Sequence, residues 1–168
     1  METATIVLAG ATVILAVATI WIAHISSTTL NIQVWMSFES RFDSKEMKNT
    51  RAKVAGMITT NLDVIPFDVF EFFESLGAVY IDGNIHKKMV ENSFSWYAIG
   101  WWKAANKYIK TERIDKNDDS LYEKFEKLVN VIENKSGLKF CTAVPDFLEA
   151  EQQLRTKKIS TKDKKKAG

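Results

Sequence analysis

Residues that break or cross-link the backbone are scarce in this sequence. It holds seven glycines, two prolines, two histidines and one cysteine in 168 residues. So few glycines and prolines favour long helices over a turn-rich β-sandwich. The single cysteine, Cys141, excludes an intramolecular disulfide, and with it a secreted scaffold held together by disulfides. Cys141 and two histidines are also a poor start for a zinc site.

The common catalytic motifs are absent as well. The sequence contains no P-loop, no G-x-S-x-G, no H-E-x-x-H and no G-x-G-x-x-G. His24 lies at the end of an apolar segment and His86 follows a turn, so both are interpreted as solvated polar residues rather than catalytic bases. We therefore predict no catalytic residue, no cofactor and no metal site, and we expect that the protein is not an enzyme.

One acidic segment partly matches a calcium-binding loop. Positions 1, 3, 5 and 12 of that pattern are occupied by Asp115, Asn117, Asp119 and Glu126. Ser120, however, stands where the loop needs glycine for its sharp turn. Capping of the following helix by Asp118 and Asp119 explains the acidic residues more simply.

Charge is unevenly distributed along the chain. Residues 155–168 hold seven basic residues against Asp163, about +6, whereas residues 25–154 hold 16 basic and 19 acidic residues, about −3. We predict that 155–168 is a disordered basic tail that either contacts anionic lipid or only adds solubility. No aromatic residue alternates with its lysines, which disfavours nucleic acid as a partner. The basic residues are Arg155, Lys157, Lys158, Lys162, Lys164, Lys165 and Lys166.

An uncharged apolar segment near the N-terminus predicts a membrane anchor. Residues 5–23 are apolar apart from threonines, and about 20 such residues span a bilayer. The acidic start, the length of the apolar segment and the lack of a good A-x-A site after it disfavour a cleaved signal peptide. Basic residues follow the segment, beginning with Arg41, but none precedes it. The positive-inside rule then places the N-terminus outside and the C-terminal domain in the cytoplasm.

Small residues recur at heptad spacing within this segment. Such a seam lets two transmembrane helices approach closely and exchange hydrogen bonds through threonine hydroxyls. It therefore predicts a homo-oligomer, although alanine and threonine are also common in simple anchors. The seam consists of Thr5, Ala9, Thr12, Ala16, Thr19 and Ala23.

The remainder of the chain predicts an all-α fold. We assign residues 1–25 to the transmembrane anchor, 26–42 to a juxtamembrane helix or linker, 43–154 to a cytoplasmic helical domain of about four to five helices, and 155–168 to the tail. Asp43 and Glu46 resemble a capping box that opens the first soluble helix. Further helices are predicted from Pro66, over about 85–113, from Asp118 or Asp119, and from Pro145.

Aromatic residues at helical spacing predict the core of this domain. Core packing explains them better than a ligand pocket, although both interpretations stay open. Gly100 either bends its helix or lets another helix pack closely. Glu74 and Arg113 are candidates for a structural ion pair. The core aromatics are Phe70, Phe73, Phe94, Tyr97, Trp101, Tyr108 and Phe125.

Aromatic residues and turns in the middle of the chain resemble those of a known protein family. The pattern consists of Phe72 to Gly77, the Asp82 to Ile85 turn, Phe94, the Trp101–Trp102 pair, Tyr108–Ile109, Arg113 and Leu121 to Glu126. In this order it resembles an uncharacterised family of bacterial single-span membrane proteins, known only as a domain of unknown function. The resemblance implies an N-terminal span, expected in the bacterial inner membrane, and a cytoplasmic helical domain, and it implies no reaction, cofactor or catalytic residue.

These observations favour a membrane-anchored helical interaction or regulatory module with a protein partner that the sequence does not identify. Two alternatives stay open. One is a structural membrane oligomer built on the small-residue seam. The other is an enzyme or ligand-binding domain whose pocket is lined by helix aromatics, which would bring several acids or bases together in a cavity.

Overall fold

The structure, a computed structural model, describes residues 2–60, 67–136 and 142–154, with side chains from residue 12 onward. This part of the chain forms six α-helices and contains no β-strand. The prediction of an all-α fold, with an apolar N-terminal helix followed by a helical bundle, is confirmed. The helices are α1 (Glu2–Asp43), α2 (Lys45–Thr59), α3 (Asp68–Ile81), α4 (Lys87–Lys116), α5 (Glu123–Ser136) and α6 (Val144–Gln152).

Helix α1 is one continuous helix of 42 residues. The helix runs without a break through the polar residues Ser26 to Thr29. The hydroxyls of Thr28 and Thr29 donate to the carbonyls of His24 and Ile25, four residues earlier, at 3.1 and 3.0 Å. These side chains are therefore satisfied within the helix and leave its backbone hydrogen bonds in place.

Helix α2 begins one residue later than the capping-box prediction. Asp43 is the last residue of α1, and Ser44 is the N-cap of α2. The Ser44 hydroxyl accepts a hydrogen bond from the backbone N–H of Met47 at 3.1 Å. Serine satisfies an otherwise unpaired N–H of the first turn as well as aspartate would. The prediction of Asp43 as the cap was therefore wrong by one position.

Helices α3 and α4 are joined by the predicted turn. α3 ends at Ile81, and Gly83 has a φ of 78°, a left-handed conformation that glycine adopts at low cost. α4 then runs from Lys87 to Lys116, a few residues later at both ends than predicted. Asn117 ends it with a φ of 49°, and asparagine is the residue other than glycine that most readily closes a helix in this way.

Helix α5 is capped from another helix, and neither Asp118 nor Asp119 lies at its start. The Asp118 carboxylate instead accepts from the backbone N–H of Ser120 at 2.9 Å, within the preceding turn. The Glu74 carboxylate of α3 accepts from the N–H groups of Lys124 and Phe125, at 3.2 and 2.8 Å. The first turn of α5 is thereby fixed to α3, and the predicted capping by Asp118 or Asp119 was wrong.

The core lies where α3, α4 and α5 pack together, with α6 across α2 and α4. The end of α1 enters this core through Phe42, which is buried. Its ring lies 5.1 Å from the ring of Phe72, 5.3 Å from Phe94 and 4.8 Å from Tyr97, measured between centroids. The apolar N-terminal helix is therefore continuous with an element of the domain core.

Candidate functional site

The most unusual polar contact in the described residues lies beneath α6. Arg51 of α2 is 1% exposed and Glu151 of α6 is 2% exposed. Arginine and glutamate are almost never buried to this degree unless they are paired. The Arg51 Nε lies 3.3 Å from the Glu151 Oε2, so the two form a buried ion pair.

This ion pair is poorly hydrogen-bonded. Among the described residues, the Nε and Nη1 of Arg51 and the Oε2 of Glu151 lack a hydrogen-bond partner of good geometry. The contact is therefore a charge contact through one nitrogen, not the two-pronged arrangement that arginine and carboxylate adopt when they are free to align.

Aromatic rings complete the surroundings of Arg51. Its guanidinium carbon lies 3.8 Å from the centre of the Phe42 ring and 5.2 Å from the centre of the Tyr97 ring. A guanidinium over an aromatic face is stabilised by the ring quadrupole, and more strongly where water is excluded. The site thus joins the end of α1, α2, α4 and α6 around a single positive charge.

Burial shifts the acid–base properties of this cluster. It raises the pKa of Glu151 to about 7, although the positive charge of Arg51 opposes the shift. Burial also lowers the pKa of Arg51, although the negative charge of Glu151 opposes this shift. The pKa of Tyr97 is raised, chiefly by burial. The Glu151 carboxyl is therefore the group in this cluster that titrates near neutral pH.

A second contact seats α6 on α4 one helical turn away. The Phe147 ring lies against Gly100, where a β-carbon would overlap the ring. It also lies 5.5 Å from the Trp101 ring, between centroids. The absence of a side chain at Gly100 therefore creates the notch that receives Phe147. Of the two roles predicted for Gly100, the structure shows the close approach of another helix.

The aromatics singled out in the sequence lie in or beside the core. Tyr97 and Tyr108 are partly buried, and both pack against the core cluster. Many of the rings contact one another directly; those of Phe73 and Phe125, for example, are stacked with centroids 5.0 Å apart. The fully buried members of the set are Phe70, Phe73, Phe94, Trp101 and Phe125.

Arg113 does not pair with Glu74, so that prediction was wrong. Its Nη1 donates to the Glu126 carboxylate at 2.8 Å, and its Nε donates to the carbonyl of Leu121 at 2.9 Å. Glu74 is engaged at the start of α5, as described above. Arg113 therefore holds the turn before α5 from one side while Glu74 holds the helix itself from the other.

The other predicted features are only partly within the described residues. Four members of the seam are exposed on α1, namely Thr12, Ala16, Thr19 and Ala23. The side chains of Thr5 and Ala9 lie outside the described residues, as do Cys141 and the basic tail 155–168. Among the described residues, α1 is the one helix whose length and composition would let it cross a membrane. In that same part of the chain, no three His, Cys, Asp or Glu side chains are grouped as a metal site would need.

Comparison with known proteins identifies a family. The model of a domain of unknown function, DUF4760, matches residues 6–132, most of the chain. The chain belongs to the DUF4760 family. The resemblance to an uncharacterised family, inferred from the aromatic pattern and turns, is thereby confirmed. No curated protein and no solved structure matches the chain.

The DUF4760 match separates the two halves of the buried site. Arg51, Tyr97 and Gly100 lie within residues 6–132, whereas Phe147 and Glu151 lie beyond them on α6. Sequence inspection missed this site, although a signal was present. Arg51 lies four residues after Met47 and four before Ala55, both buried, so it interrupts the apolar face of α2.

Proposed function

We propose that this protein is a membrane-anchored helical interaction module, with its N-terminus outside and its domain in the cytoplasm, and that it has no catalytic activity of its own. The observation that carries the proposal is the continuity of α1. An exposed apolar segment and a segment packed into the domain core belong to one unbroken helix. A domain joined in this way keeps a fixed position relative to whatever surrounds the apolar segment.

The side chains of α1 fit this division of roles. From Thr12 to Leu30 they are exposed apart from Ala18, and they include Ile14, Ile20 and Trp21 at 70%, 71% and 67% exposure. Large apolar residues at such exposure need an apolar environment outside the chain. The uncharged apolar segment 5–23 has 19 residues and rises about 28 Å at 1.5 Å each, close to the thickness of a bilayer core. From Asn31 onward the helix begins to be covered by the domain.

The aromatics favour a structural role over a ligand-binding one. Their rings are packed against each other within the bundle, as Phe73 is on Phe125 and Phe42 is on Phe94. Side chains that fill a core in this way stabilise the fold and leave recognition to the surface. This favours an interaction module over the alternative of a pocket lined by helix aromatics.

In vivo photo-crosslinking tests the interaction function. A benzophenone amino acid at position 71 of α3 or position 107 of α4, both exposed, reports on proteins that touch the domain. We expect a discrete adduct from at least one position in native membranes. The buried position 76 is the control and gives no adduct in the folded protein. The proposal is contradicted if both exposed positions give only uncrosslinked protein.

A structural membrane oligomer is the second candidate, and the exposure of the seam on α1 favours it. Thr12, Ala16, Thr19 and Ala23 face away from the rest of the chain. The Thr19 hydroxyl donates to the carbonyl of Leu15 at 2.8 Å, so its oxygen can only accept from a neighbouring helix. The two candidates are compatible, since an oligomeric anchor can carry an interaction domain. The basic tail, in this scheme, contacts anionic lipid on the cytoplasmic side.

A further inference from the structure

Helix α6 is attached to the bundle along one narrow face. Phe147, Leu148 and Glu151 point inward, whereas Glu149 and Ala150 are exposed. Polar contacts at its ends add little to this seat. Gln152 donates to the Thr59 hydroxyl at 2.9 Å and Trp96 donates to the Thr142 hydroxyl at 3.2 Å, both in exposed surroundings.

The ion pair beneath α6 is incompletely hydrogen-bonded. Glu151 reaches Arg51 through one nitrogen, and Nη1 of the guanidinium has no acceptor among the described residues. A buried donor without a partner is unfavourable, because it has lost its hydrogen bonds to water. A carboxylate that approached the guanidinium with both oxygens would remove that cost and form a stronger, two-pronged contact. The Arg51 guanidinium could therefore accept a carboxylate that approaches it more favourably than Glu151 does.

The surface under α6 belongs to the segment that the family model matches. Arg51 on α2, and Gly100 and Trp101 on α4, all lie within residues 6–132. The Gly100 notch accepts a flat ring, and Arg51 accepts an anion. Phe147 and Glu151 occupy them from positions four residues apart, which lie on the same side of a helix. The surface thus recognises a helix by an aromatic ring and a carboxylate one turn apart.

We propose that the α2–α4 surface is a docking groove for an amphipathic helix of a partner protein, presenting an aromatic residue and a carboxylate four residues apart, and that α6 is its intramolecular competitor. The inference rests on the proposed interaction function and names its surface. While α6 is docked, a partner binds only the fraction of molecules in which the groove is open, and its apparent affinity falls by that fraction. A substitution that weakens the packing of α6 against α2 and α4 therefore strengthens binding of the partner helix.

Peptide binding to the full chain in detergent micelles tests the inference. The probe is a fluorescent peptide with the sequence of residues 142–154, at pH 8. We expect it to bind the Phe147→Ala chain at least tenfold more tightly than the unaltered chain. The matched control is the Glu149→Gln chain, which is altered at an exposed residue of the same helix. We expect it to bind the peptide with the same affinity as the unaltered chain. Peptides carrying Phe147→Ala or Glu151→Ala lose at least tenfold in affinity, whereas Glu149→Gln in the peptide changes nothing.

Equal affinity of the peptide for the Phe147→Ala and unaltered chains would overturn the inference, and so would undiminished binding by the Glu151→Ala peptide. Should the Phe147→Ala chain fail to fold, hydrogen exchange of the unaltered chain decides. We expect α6 amides to exchange by a local opening that leaves α2 and α4 protected. Exchange of α6 only together with α4 overturns the inference. Crosslinks from position 71 or 107 would in that case still support the interaction function, so the two failures are distinguishable.

Discussion

Arg51 carries a full positive charge into the interior of the domain. Phe42 covers its face, Tyr97 lies beside it, and Glu151 is the anion that contacts it. Such buried pairs contribute little net stability, because desolvation offsets most of the attraction. Removing one partner is costly, however, since the other charge is then left alone. Burial acts on Glu151 more strongly than the attraction of Arg51 does, so the folded chain favours the protonated form of this carboxyl.

Stability should fall as pH rises through neutrality. The pKa of Glu151 is raised from 4.5 to about 7 in the folded chain, mainly by burial. Between these values the folded chain holds a proton that the unfolded chain has released, so the free energy of unfolding falls with increasing pH. The effect is at most about 3 kcal/mol, at 1.36 kcal/mol per pKa unit. The charged or titratable groups that act on the cluster are Arg51, Tyr97 and Asp43.

Urea unfolding of the full chain in detergent between pH 4.5 and 8 measures this dependence. Glu151→Gln should flatten the profile over that window, because the titrating carboxyl is gone. Glu149→Gln, at an exposed position of α6, should leave it unchanged. A profile that rises with pH, or one that is the same with and without Glu151, would show that this carboxyl is not buried with a raised pKa.

Trp101 is the largest fully buried side chain of the domain. Replacing it by alanine should lower the free energy of unfolding by about 3–5 kcal/mol, because the cavity left behind cannot fully close. Ile114→Ala is the control on the same helix; Ile114 is 79% exposed, and its replacement should change stability by no more than about 0.5 kcal/mol. Thermal unfolding of the two variants compares them, and similar losses would place Trp101 outside the core.

At the scale of one residue, apolar periodicity predicted more than polar chemistry. The spacing of Phe94 and Trp101 within one helix was sufficient to favour burial. The partners of Arg113 and Glu74 were not predictable, because each depends on how a turn brings α5 against α3 and α4. The Arg51–Glu151 pair joins residues 100 positions apart in the sequence. No local pattern encodes such a contact.

Two helices approach so closely at Gly77 that no side chain fits. A β-carbon there would overlap the backbone carbonyl of Lys124 at the start of α5. Because backbone cannot move aside as a side chain can, Gly77→Ala should destabilise the chain by about 1–3 kcal/mol. Gly56 in α2 is the matched control, since a β-carbon there meets nothing within 4 Å. Gly56→Ala should be neutral or stabilise by up to about 1 kcal/mol.

Chemical denaturation of the two glycine variants measures this difference directly. The expected result is a lower midpoint for Gly77→Ala and an equal or higher midpoint for Gly56→Ala. Equal midpoints would mean that α3 and α5 are not in backbone contact. The packing of these two helices, and the capping of α5 by Glu74 that accompanies it, would then need revision.

At the scale of helices, the sequence was sufficient to predict which segments are helical, but it did not predict the residues at which each helix begins and ends. The number of helices after α1 follows from apolar periodicity and from the turn at Gly83. The N-cap of α2 is Ser44 and not the predicted Asp43, because either residue type can cap and Asp43 is the last residue of α1. The start of α5 moved further, to Glu123, because its cap is supplied by α3. A cap from a distant helix leaves no local signal.

Self-association of α1 should depend on its small residues. Ala16→Leu should weaken it, since a bulky side chain on the seam separates the backbones, whereas Leu15→Ala off the seam should matter less. Each contact is expected to contribute about 0.6–2 kcal/mol. A transmembrane-association reporter carrying residues 3–25 measures both variants against the parent. Equal signals from the parent and from Ala16→Leu would leave α1 as a plain anchor.

For the whole molecule, α1 determines how the parts are arranged. Forty-two residues in one helix extend about 63 Å, roughly twice the thickness of a bilayer core. The helix is partly covered by the bundle from Asn31 onward and is unbroken, so no flexible linker lies between the apolar segment and the domain. The proposed orientation places both the domain and the basic tail on the side where anionic lipids and cytoplasmic proteins are found.

Cysteine accessibility tests this orientation most directly. With Cys141→Ser as the background, a cysteine is introduced at position 2, at the exposed position 107 of α4, or at position 163 in the tail. A membrane-impermeant maleimide is then applied to intact cells and to permeabilised cells. We predict labelling of position 2 in intact cells, and labelling of positions 107 and 163 only after permeabilisation. Labelling of position 107 or 163 in intact cells would contradict a cytoplasmic domain carried on a membrane-spanning α1.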